Sequence, residues 1–101
     1  MITELIEFKL KDTTNVNVLV EQLDKVYTEF HIKQDGYIDT ELIENAQTGL
    51  WQMIHHYATM EDVEKLKDTL PHSEAIKGFS ALVIPESFKV SFYKHQGKWK
   101  A

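Results

Sequence analysis

Two passes of strand-like, helix-like and strand-like sequence follow one another within 101 residues, and this doubled rhythm limits the fold more than any other feature of the chain. Ile2 to Leu10 reads as the first strand. Ile2, Ile6, Phe8 and Leu10 share one parity, which Glu4 interrupts. After a polar loop from Lys11 to Asn15, in which Asn15 or Asn17 is a candidate cap, Val16, Leu19, Val20, Leu23, Val26, Tyr27 and Phe30 recur at helical spacing. Asp35-Gly36 marks a turn. Tyr37 to Glu44 reads as a second strand with Ile38 and Leu42 on one face. Asn45 to Gly49 reads as a hairpin loop, and Leu50 to Thr59 as a third strand. Thr59 starts a second helix with inner residues Val63, Leu66 and Leu70. Pro71 interrupts it, and a short helix from His72 to about Phe79 follows. Ala81 to Ile84 begins a strand or a buried connection. Phe88, Val90 and Phe92 alternate with Lys89, Ser91 and Tyr93 in a last strand.

The order β-α-β-β-α-β is the split βαβ, ferredoxin-like arrangement. The expected fold class is therefore α+β, with a four-stranded antiparallel sheet in a single domain over residues 1–101. Helices in such a domain cover one sheet face, so the other face needs a partner. The tail from Lys94 to Ala101, with lysines and no acids, is expected to fray or to pack on that partner.

The formal net charge of −5 argues against nucleic acid as a partner. All eleven basic residues are lysines, so no bidentate arginine clamp for phosphate or carboxylate exists. The lack of cysteine rules out disulfides, thiolate nucleophiles and thiolate-bound metal, and fits a cytoplasmic location. Met1 to Leu10 does not read as a signal peptide, because Glu4 and Glu7 break it and it has no basic start. No apolar run is long enough to span a membrane, and a membrane partner is not expected.

The third strand carries the candidate chemistry. Trp51, Met53, His55, Tyr57 and Thr59 share one face, and an aromatic, polarizable face with one histidine suits an aromatic ligand. His55 or Tyr57 could take a proton from a phenol, and the resulting anion could then meet oxygen without a cofactor. The same residues equally suit plain packing in a core or a dimer interface. His55-His56 does not form a metal grip, because neighbours on a strand point to opposite faces. No metal is therefore expected. His72 has two readings, a place at a pocket mouth or a helix cap. Tyr37, Glu7 and Tyr93 are open as to face, while His31 and His95 read as surface residues. There is no glycine-rich phosphate loop, nucleophile elbow or paired-acid motif.

The run from Leu50 through Trp51, Met53, His55, Tyr57 and Thr59 to Asp62, then Leu70-Pro71-His72-Ser73 and Phe79, resembles the antibiotic biosynthesis monooxygenase family and its dimeric α+β barrel relatives. Members carry an aromatic residue, usually Trp, at the end of strand three, and Tyr57 stands there. A polar-acidic step into a helix follows, matched by Thr59 to Asp62. The helix break falls at Leu70-Pro71-His72 and the later aromatic at Phe79. The resemblance implies a homodimer whose two sheets face each other in a barrel with helices outside, and a pocket between sheet and helices in each subunit. It also implies cofactor-free oxygenation of aromatic polyketides or quinols, or haem degradation. The haem degraders' Asn in strand one, Trp in the second helix and later His are all missing; the last two positions fall at Leu66 and Ile76. Haem degradation is therefore not expected, while haem binding through another histidine stays open.

Two functions follow as expectations. One is a small monooxygenase without cofactor or metal, acting on an aromatic or quinol-like metabolite, with His55 and Tyr57 catalytic and Trp51, Met53 and His72 binding substrate. The other is a non-catalytic small-molecule-binding or structural dimer of the same fold.

Overall fold

A computed structural model describes residues 1–101. The elements follow the expected order: β1 (Ile2–Phe8), α1 (Val16–Glu29), β2 (Tyr37–Asn45), β3 (Leu50–Tyr57), α2 (Met60–Thr69), α3 (Glu74–Ser80) and β4 (Lys89–Lys94). Short 3₁₀ turns sit at His31–Lys33, Leu70–His72 and Pro85–Ser87. The strands form one antiparallel sheet in the order β2-β3-β1-β4, with β1 and β3 at its centre. No helix is long and apolar enough to cross a membrane.

Local chemistry sets the element ends. Asn15, not Asn17, caps α1, its side chain accepting from the Val18 amide at 3.0 Å. Thr59 caps α2 by accepting from the Asp62 amide, and its own hydroxyl donates to the Asp62 carboxylate. Gly36 has φ +73°, and a Cβ there would meet the Asp62 carboxylate, so this turn requires glycine. β1 ends at Phe8 rather than Leu10. Leu10 instead makes a single bridge to buried Val83, so Ala81–Ile84 is a connection, half-buried around Val83, rather than a strand. Pro71 opens a 3₁₀ turn, which delays α3 to Glu74, two residues beyond the expected start.

Register decides what the helices cover. Ile2 pairs with Tyr57, Glu4 with His55, Ile6 with Met53 and Phe8 with Trp51, and this set faces the helices. Two apolar clusters form there. Phe8, Leu19, Val26, Trp51, Met53, Ala75, Phe79 and Val83 make one, with the Phe8 and Phe79 rings edge-to-face at 5.1 Å. Ile2, Phe30, Tyr57, Val63 and Leu66 make the other. A bulge between Tyr37 and Asp39 brings Tyr37 and Thr40, of opposite parity, to the helix side. It also leaves Ile38 exposed, where simple alternation placed it with Leu42. The open sheet face carries Leu5, Ile43, Ile54 and Tyr93 among polar residues, including Gln52–Glu7 and His56–Asp39 hydrogen bonds.

Leu19 is fully buried where α1 meets the larger cluster. Leu19→Ala is expected to lower unfolding stability by about 3 kcal/mol in denaturant titrations. A change below about 1 kcal/mol would show that this cluster does not hold α1 on the sheet.

Candidate functional site

One row of the sheet breaks the apolar pattern of the helix-side face. Phe92 of β4, Glu4 of β1, His55 of β3 and Thr40 of β2 lie side by side across the strands. Apolar residues flank the row on both sides, with Ile2 and Tyr57 on one and Ile6, Met53 and Leu42 on the other. Above it, between the sheet and the helices, lies a cavity of about 420 Å³, within the range of small-molecule sites. Its walls are mostly apolar, with Met53, Ile76, Phe79 and Phe88 among them, and its polar groups are Glu4, His31, His55, Lys67 and Ser80.

Hydrogen bonds fix the two histidines. His55 is 1% exposed, and its Nδ1 meets the Thr40 hydroxyl at 2.6 Å. That hydroxyl also meets the Tyr37 phenol at 2.6 Å. His31 lies against His55 with the rings tilted and their centroids 4.3 Å apart, and its Nδ1 contacts the Tyr57 hydroxyl at 3.1 Å. His55 Nε2 is buried without a partner in the protein, an arrangement that favours a ligand group in the cavity.

Burial sets the protonation states. It pushes the His55 pKa down to about 3, with the neighbouring His31 and His56 adding to the effect, and the His31 pKa down to about 4. Both rings are therefore neutral at pH 7. Burial raises the Glu4 carboxyl to about 7, with the Lys67 charge pulling the other way. It also raises the phenols of Tyr57 and Tyr37. Lys67 stands at the cavity with its Nζ 5.3 Å from the Phe92 ring centroid.

The structure brings some of the sequence candidates together and separates others. His55 and Met53 line the cavity. Tyr57 does not, but is fully buried behind His31 and reaches the site through that hydrogen bond. Trp51 packs in the larger apolar cluster beside Phe8, away from the cavity. His72 is exposed in the 3₁₀ turn after α2 and lines no part of the cavity. Tyr37 joins the site through Thr40, whereas Glu7 and Tyr93 lie on the opposite sheet face. His31, read as a surface residue, is 6% exposed, because the 3₁₀ turn after α1 folds its ring back against His55. His95 is exposed as expected and bonds Thr3 at 2.6 Å. Sequence reasoning missed Glu4 and His31 as site residues. The only signal for Glu4 was the break it makes in the apolar stripe of β1. No three His, Asp or Glu side chains gather in a metal-binding arrangement.

The fold is that of solved antibiotic biosynthesis monooxygenase structures. One is SnoaB, a cofactor-independent oxygenase from Streptomyces nogalater. It matches with a TM-score of 0.77 at 9% identity, over 96% of this chain and 94% of that one. A Bordetella bronchiseptica protein assigned as an antibiotic biosynthesis monooxygenase matches at 0.78 and 9% identity, over 94% of this chain and 96% of that one. Another antibiotic biosynthesis monooxygenase matches at 0.72 and 8% identity, over 96% of this chain and all (100%) of that one. No protein-family model matches the chain, and no curated protein matches it in sequence.

The shifted groups make stability depend on pH in two opposing ways. Between about pH 4.5 and 7 the native state holds a proton on Glu4 that the unfolded chain has released, so this group's contribution falls as pH rises. Between about pH 4 and 6.5 the unfolded chain instead binds protons on His31 and His55 that the native state refuses, so their contribution rises with pH. Two histidines outweigh one carboxyl up to about pH 7. Melting temperature is therefore expected to climb from acid and to level off near pH 7. Glu4→Gln should make the climb between about pH 4.5 and 7 steeper, because the opposing contribution is gone. A variant that climbs no more steeply than the wild type would place Glu4 in a solvated setting.

Proposed function

We propose that the protein is a small monooxygenase that oxygenates an aromatic or quinol-like metabolite without metal or flavin. The observation that supports it most is the unpartnered, buried Nε2 of His55, a residue that lines an apolar cavity sized for such a molecule. In the reaction, one oxygen atom of O₂ becomes a ring carbonyl. The other leaves as water with the two hydrogens lost from the substrate, one from carbon and one from its hydroxyl. The electrons come from the substrate, so no external reductant is needed. His55 acts at the reacting hydroxyl, Tyr57 holds His31 in place, and Met53 and Phe79 wall the ring. SnoaB, named as a cofactor-independent oxygenase, has the same fold and supports the class of reaction.

The proposal includes a homodimer formed through the open sheet face, where Leu5, Ile43, Ile54 and Tyr93 lie uncovered by this chain's helices. The location in the cell is proposed as cytoplasmic. Native mass spectrometry is expected to show two chains, and a monomer at micromolar concentration would overturn the dimer.

1-Naphthol in aerated buffer is the direct probe. The wild type is expected to form 1,4-naphthoquinone, and His55→Ala to slow this by about 100-fold or more. Tyr57→Phe, acting through His31, should cost about tenfold or less. If neither 1-naphthol nor a panel of quinols is oxidised above the uncatalysed rate, the fold serves ligand binding or a structural dimer instead.

A further inference from the structure

One buried titratable side chain at the cavity has no role so far. Glu4 is 5% exposed, lines the cavity, and has neither a hydrogen-bond partner nor a cation within salt-bridge distance in the protein. A buried carboxylate without a partner destabilises a fold, and here it sits in a stripe otherwise filled by Ile2, Ile6 and Phe8. Its cross-strand partner is His55, the other polar group on the wall with an unmet bond. Directly opposed side chains on antiparallel strands start about 5 Å apart at Cβ, so one small group can touch both.

We propose that Glu4 and His55 Nε2 form a two-point grip on a single hydroxyl of a neutral aromatic ligand, and that Glu4 accepts that hydroxyl's proton. The hydroxyl donates to the Glu4 carboxylate and accepts from His55 Nε2–H. This role requires the tautomer in which Tyr37 O–H donates to Thr40, Thr40 O–H donates to His55 Nδ1 and the ring hydrogen lies on Nε2, and the contacts from Tyr37 through Thr40 to His55 accommodate it. On proton transfer the ligand O–H bond breaks and an O–H bond forms on Glu4. The negative charge moves from the carboxylate to the ligand oxygen, where Nε2–H still donates to it. No electron changes hands in this step.

The grip also sets specificity. A ligand carboxylate would meet Glu4 charge against charge, and an ether could accept from His55 but give Glu4 nothing. The charged or titratable groups facing Glu4 are Lys67 from α2, His55 and Tyr57 from β3, and His31 from the turn after α1, while β4 presents Phe92. Burial places the Glu4 carboxyl at about 7, which suits a proton acceptor working near neutrality.

This inference deepens the oxygenase reading by naming the group that generates the electron-rich anion, yet the grip is a binding property and is tested without turnover. Calorimetric titration of wild type, Glu4→Leu and Glu4→Gln with 1-naphthol, 1-methoxynaphthalene and 1-naphthoate provides the test. Wild type is expected to bind 1-naphthol at least about tenfold more tightly than either analogue. Glu4→Leu should erase the preference over the ether. Glu4→Gln, nearly isosteric, should erase the penalty on naphthoate, which reads the charge even if the leucine variant does not fold. Equal affinities in the wild type, preferences that survive both substitutions, or no binding of 1-naphthol would overturn the grip. If 1-naphthol is also turned over, Glu4→Gln should retain binding and lose about 100-fold or more in kcat. Undiminished turnover in that variant would overturn the proton role and leave the oxygenase standing. The binding preference without any turnover would do the reverse.

Discussion

The antiparallel pairing of β1 with β3 at the centre of the sheet is the constraint on which the rest of the structure depends. It sets Phe8 against Trp51 and Ile6 against Met53, and so forms the floor of the larger apolar cluster. The same register sets Glu4 against His55. A slip of β1 by one residue would send Glu4, Ile6 and Phe8 to the open face. Core and site are thus two products of one register. The helices cannot be held on the sheet without also enclosing an acid and a histidine.

That enclosure puts polar groups where apolar ones would stabilise more. The row of Glu4, His55 and Thr40 separates two clusters that would otherwise merge. Part of the penalty is offset by hydrogen bonds, since His55 reaches Thr40, Thr40 reaches Tyr37 and His31 reaches Tyr57. Glu4 and one nitrogen of His55 remain outside this compensation. Uncompensated polar groups in an otherwise consistent core are where folding and function part company.

Much of the architecture could be read from the sequence, because local patterns carried it. The helical spacing from Val16 to Phe30, the Thr59 cap and the break at Pro71 are each decided by residues a few positions apart. His55 could be picked out from strand three for the same reason. Tyr37 could not be assigned to a face, because the bulge beside it breaks the two-residue period on which such an assignment rests. His31 follows a helix end in a polar stretch and has no periodicity to place it; tertiary contacts with Tyr37, His55 and Tyr57 bury it. Glu4 was visible as an interruption, but its partner lies 51 positions away in the chain, and the strand pairing alone connects them.

Pro71 has a consequence for motion. By dividing what would be one helix, it makes the cavity's roof from a ten-residue α2 and a seven-residue α3 joined by a 3₁₀ turn. Helices of that length do not hold themselves together in water and owe their order to what lies beneath them. Beneath part of this roof there is a space rather than packed side chains, with Leu66, Leu70 and Ile76 facing it. The roof therefore has little stability of its own, and a molecule filling the space would complete its packing. The central strands, paired on both sides, gain nothing comparable. Packing beneath α2 and α3 thus sets how firmly about one fifth of the molecule is closed over the sheet.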